Sequence, residues 1–175
     1  MTRSAFALLV LLNPYLRFAN ADYGHGLRGV GITIYGDTLC AAVCRTCLDT
    51  STLKCSTLAS SDGHAATSAR CYSTDNSFQT SLAYCISTYC HIPSLGQLED
   101  YWQMSLTGDS DNEKLNVPSM TYAEALKSIA VPPTVEAKNN TLLNETSLVA
   151  ENTYQAYYDA MSLTQEYEFR NGRLA

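Results

Sequence analysis

The chain has 175 residues, with 11 Lys and Arg against 17 Asp and Glu and a formal net charge of −6. That is one domain's worth of sequence, and its acidic balance excludes nucleic acid as a partner, since phosphate binding needs a basic face. Charged residues make up only 16%, against about 25% in ordinary soluble domains; Ser, Thr, Asn and Tyr fill the deficit, which points to an exported chain.

The chain opens as a secretory leader. Arg3 is a short basic start, Ala5 to Leu12 is an unbroken apolar run, and Ala19-Asn20-Ala21 is a cleavage site of the A-x-A type. The run is too short for a membrane anchor: as a helix it rises about 12 Å against a hydrocarbon core of about 30 Å, and Asn13, Pro14 and Arg17 interrupt it. Residues 1–21 are therefore expected as a signal peptide, with the mature chain starting at Asp22 and its cysteines oxidised.

From there, Gly24, Gly26, Gly29 and Gly31 make a flexible entry. Ile32-Thr33-Ile34-Tyr35 is a short β-prone run closed by Gly36. Asp37 or Thr38 then caps a helix over Leu39 to Leu48. Ser60 to Ser68 is a loop. Phe78 to Tyr89 reads as a second helix, with Phe78, Leu82, Cys85 and Ile86 as its buried stripe. Leu98 to Met104 is a short helix carrying the single Trp, and Gly108 to Asn116 is an acidic loop. Thr121 to Glu124 forms a capping box that starts a helix through Ile129. Pro132-Pro133 ends it and opens a polar linker. The linker carries two N-glycosylation sequons, at Asn139 and Asn144. A last helix runs from Glu151 to about Glu168, with Tyr154, Tyr157, Tyr158 and Met161 as its stripe and Asn171-Gly172 as its stop.

Cys40, Cys44 and Cys47 share one face of the first helix, at i, i+4 and i+7. Cβ atoms four residues apart on a helix are about 5–6 Å apart, too far for the roughly 3.8 Å of a disulfide. Cys40 and Cys44 therefore bond across to other elements, and Cys85 and Cys90 meet the same constraint. The simplest arrangement staples the two cysteine-bearing helices to each other and to the segment holding Cys55 and Cys71. Six cysteines allow 15 pairings, and sequence does not choose among them. A redox pair at Cys44 and Cys47 lacks the strand that would precede it. A zinc site including Cys55 is disfavoured by export, and cluster spacing at Cys40, Cys44 and Cys47 needs a reducing compartment. His25, His64 and His91 stand in no metal-binding motif, although His25 as third residue of a chain trimmed to Tyr23 would suit copper. Asp109, Asp111 and Glu113 read as a solvated loop rather than a cation site. No catalytic or nucleotide-binding motif is present.

Taken in order, the motifs resemble the extracellular N-terminal region of fungal ferric and cupric reductase transmembrane proteins. The resemblance runs over roughly residues 28–170. It includes Gly29-Val30-Gly31-Ile32, Leu39-Cys40-Ala41 with Cys44-Arg45, Leu53-Lys54-Cys55-Ser56 and Cys71-Tyr72-Ser73-Thr74. It continues through Leu82-Ala83-Tyr84-Cys85-Ile86 with Cys90, Tyr101-Trp102, Thr121 to Leu126, Leu143 to Thr146 and Tyr154-Gln155-Ala156 with Tyr158. In that family the region precedes a membrane haem domain and a cytosolic module for FAD and NADPH, and the whole protein reduces ferric or cupric chelates outside the cell. The resemblance implies haem, FAD and NADPH for a full-length protein and none in this chain. It implies a membrane haem domain as partner and metal chelates as the species handled. The family's pattern has six cysteines, here Cys40, Cys44, Cys55, Cys71, Cys85 and Cys90, which makes Cys47 the odd thiol.

The expected architecture is mainly α: a signal peptide (1–21), a cysteine-rich extracellular domain (22–130) with a short β-prone start, a glycosylated linker (131–150) and a C-terminal helix (151–175) leading toward a membrane span. The expected function is that of a non-catalytic ectodomain of a ferric-chelate reductase-like protein, placed outside the cell. The alternative is a stand-alone secreted cysteine-rich binding protein.

Overall fold

The computed structural model of the chain describes residues 35–58, 65–106 and 116–172. The leader, the glycine-rich entry, Ile32 to Ile34, His25, His64 and the acidic loop at Asp109, Asp111 and Glu113 lie outside these residues.

A 3-10 turn, Gly36–Thr38, leads into α1, Leu39–Asp49. Gly36 takes a left-handed φ of 53°, which a residue without Cβ adopts freely. The expected cap is absent: the Thr38 hydroxyl turns back and donates to Tyr35 O at 2.8 Å. After α1 come the two-residue strands β1 (Thr57–Leu58) and β2 (Ala65–Ala66), paired antiparallel with Thr57 opposite Ala66. Next is α2, Ala69–Thr74, capped by Ser68, whose hydroxyl accepts from Cys71 N. Asp75 then breaks the helix with an extended ψ of 115° and caps α3, Asn76–Tyr89, accepting from Phe78 N at 2.9 Å. Capping boxes start both α4 (Leu95–Ser105, Ser94 with Gln97) and α5 (Tyr122–Lys127, Thr121 with Glu124). The long α6 spans Glu151–Gly172.

The domain is mainly α and disulfide-stapled. Its centre is α3, which packs on α1, α2 and α5, while α6 lies along α1. Phe78, Leu82, Ala83 and Ile86 of α3 are fully buried, as are Val43 and Leu48 of α1, Trp102 of α4 and Ala125 of α5. Trp102 keeps its indole satisfied by donating Nε1–H to Met120 O at 2.7 Å, as a buried indole must. Glu99 of α4 accepts from the amides of Tyr122 and Ala123, fixing the start of α5.

Residues 131–150 differ from the expected linker. They form a strap laid across the helices. Thr52 N donates to Thr141 O at 3.0 Å and Leu143 N to Thr52 O at 2.8 Å, while Glu136 bridges to Leu148. Leu143, Ser147 and Val149 are buried. The physical reason is that these residues close over α3 and the turn after α1, where Thr80, Ser81, Thr50 and Thr52 hydrogen-bond them. The C-terminal helix likewise belongs to the same body, because Tyr154 is buried against Tyr89.

Candidate functional site

Two bridges join α1 to α3, Cys40–Cys90 and Cys44–Cys85, with Cα atoms 5.4 and 5.7 Å apart. The third, Cys55–Cys71, closes the intervening segment on itself instead of tying it to those helices. Cys47 carries a free, buried thiol. Burial pushes this thiol up to about 11, against a smaller opposing effect of its own backbone. Cys44 and Cys47 are therefore not partners. Arg45 between them is structural: its Nε donates to Leu106 O at 2.9 Å, its guanidinium lies over the Tyr72 ring, and it pairs with Asp49 at 3.5 Å. Tyr72 donates to the same Asp49 carboxylate. Burial first, then that carboxylate, raise the Tyr72 phenol to about 12.

Both sequon asparagines are exposed on the strap. The Thr50 hydroxyl at the end of α1 donates to Asn139 Oδ1 at 2.6 Å, and Asn140 holds a left-handed φ of 55°, which Asn tolerates better than most residues. Thr146 of the second sequon shares a hydrogen bond with Thr80 of α3 at 2.8 Å. The Asn144 side chain is exposed while its sequon threonine is anchored.

At the other end of α1 is a half-open cleft of about 300 Å³. Its buried lining is Leu39, Cys40 (bridged to Cys90) and Tyr154. Asp37, His91 and Gln155 stand exposed around it. Tyr89 and Tyr154 stack with centroids 3.9 Å apart and planes 8° apart, and Tyr158 continues the stack at 5.9 Å from Tyr154. Tyr89 donates to Val149 O at 3.1 Å, which ties the stack to the strap. Burial raises Tyr154 to about 12, with the neighbouring Tyr158, Cys47 and Tyr89 adding to it. The tyrosine stripe was visible in the sequence, but its meeting with Tyr89, His91 and Asp37 was not, because α6 is brought onto α1 and α3 from far along the chain.

Among the described residues no group of three or more His, Cys, Asp or Glu is placed to hold a metal, and no helix is long and apolar enough to cross a membrane. Compared with protein-family models, with curated proteins and with solved structures, the chain gives no significant match.

Proposed function

We propose that the chain is a disulfide-stapled extracellular domain of the ferric-chelate reductase type. It is non-catalytic alone, and in a full-length protein it stands beside a membrane haem domain to shield it or to present metal chelates. One observation carries this reading. The six cysteines of the resemblance pair entirely among themselves, and Cys47, outside the pattern, is the one left unbonded. The other residues that carry the resemblance support it as marks of a shared fold: Leu53, Leu82, Ala83, Tyr101, Trp102, Tyr122 and Leu143 are all core. Three bridges also fit an oxidising compartment, where such bonds persist.

The test is to read the transcript beyond the Ala175 codon. An apolar span of about 20 residues, followed by further spans with paired histidines, is expected. A stop codon with no span behind it overturns the reading in favour of a stand-alone secreted binding protein, the alternative that the tyrosine-lined cleft favours. The non-catalytic part falls separately if the expressed chain shows a haem Soret band or reduces a ferric chelate with NADPH.

A further inference from the structure

The cleft beside the Cys40–Cys90 bridge is used by nothing described so far. Its volume of about 300 Å³ is at the lower end of small-ligand sites, roughly 300–1,000 Å³. Its position is favourable for access. Asn139 is tied to Thr50, just past the C-terminal end of α1, and the cleft opens at Gly36 to Cys40, the N-terminal end. An 11-residue helix separates them by about 16 Å, so Asn139 itself is not at the mouth of the cleft.

The chemistry of the walls selects the ligand. The tyrosine stack supplies π-rich rings, whose faces attract cations. Asp37 supplies a carboxylate; its only hydrogen bond among the described residues is a long one, from Gln97 Nε2 to Oδ2 at 3.4 Å. Among the described residues no Lys or Arg lines the cleft, and His91 is the one lining group able to carry positive charge. The 14-residue α3 ends at Tyr89 on its edge, and the carbonyl end of a helix favours positive charge. Ile92, 83% exposed, adds an apolar wall suited to alkyl groups. We propose that this cleft is a binding site for a small organic cation, an alkylammonium or guanidinium group, held against the Tyr158 end of the tyrosine stack with Asp37 as its counter-ion. The site is independent of the reductase reading, since it uses no haem, metal or membrane partner.

The experiment is an amide chemical-shift titration of the disulfide-intact chain with tetramethylammonium and with arginine methyl ester, each to tens of millimolar. Tert-butanol and methyl glucoside serve as neutral comparisons. Saturable shifts confined to residues 36–40, 89–93 and 154–158 are expected with the two cations, weakening as salt is added. Asp37→Asn is expected to weaken binding about fivefold, the loss of a close charge beside an aromatic ring. Gln155→Lys, at an exposed position, is expected to abolish it. The proposal is overturned if no cation gives saturable shifts there, if the neutral compounds bind as well as the cations, or if both variants bind like the parent while keeping its spectrum elsewhere.

Discussion

Cys47 shows how surroundings decide the chemistry of a side chain. A thiol reacts as its thiolate, and here burial suppresses the thiolate: Cys47 is 6% exposed and its thiol is raised to about 11. It should therefore resist alkylation in the folded protein at pH 8. One equivalent of iodoacetamide should enter only after the chain is unfolded without reductant. Rapid modification of native protein at this residue would show that the thiol is reachable and not packed away. The same residue shows why C-x-x-C spacing makes no redox pair here. Cys44 and Cys47 are three apart on one helix, yet Cys44 reaches across to Cys85 on α3, so the pair has no shared bond to open and close.

Among the elements, the strap is tied to α3 at Ser147 as well as at Thr146. Ser147 N donates to Ser81 Oγ of α3 at 2.8 Å, in a buried setting. Removing that acceptor leaves an amide without a partner, which costs about 1–3 kcal/mol. Ser81→Ala is therefore expected to lower stability by about that much and to speed amide exchange at Ser147 and its neighbours more than in α3. Unchanged exchange across the strap would mean that it is held by other contacts. The strap also marks the limit of what the sequence could tell. Helices with a full apolar period were legible: α3 was announced by Phe78, Leu82, Cys85 and Ile86, all buried, and α5 by the Thr121 and Glu124 box. In the sequence the strap looks like a linker, because Pro132-Pro133 and a polar composition look alike in a loose tether and in a packed loop. Leu143 and Val149, apolar residues in a polar stretch, were the available signal, and both are buried. The six-residue α2 was missed because it is too short to show a period. Ser68 ahead of it, which caps it, is its one local mark in the sequence. The cleft was illegible for a different reason: its residues come from three elements, and only packing brings them together.

At the scale of the whole molecule, the buried phenols set an alkaline limit. Tyr72 and Tyr154 are each raised from 10.0 to about 12, chiefly by burial, and Tyr101 is raised further. A group whose folded pKa lies above its unfolded value favours the fold in its protonated form. The stability these tyrosines contribute is thus complete below pH 10 and is lost as pH rises from about 10 toward 12. Tyrosinate absorbance at 295 nm should rise in step with loss of helical circular dichroism in that window. Ionisation of every tyrosine in a single step near pH 10 with helicity intact would contradict the buried settings of Tyr72, Tyr101 and Tyr154.

The order of the bridges along the chain has one more outcome. Cys40, Cys44 and Cys55 are each tied to a cysteine that comes after residue 70, namely Cys90, Cys85 and Cys71. A protease that clips the backbone once anywhere between Cys55 and Cys71 therefore yields two fragments that remain fastened by three covalent links. Such a nicked molecule would migrate as full length on a non-reducing gel and fall into two unequal pieces only with dithiothreitol. A wound in the stretch around β1 and β2 would thus leave the two central helices in register.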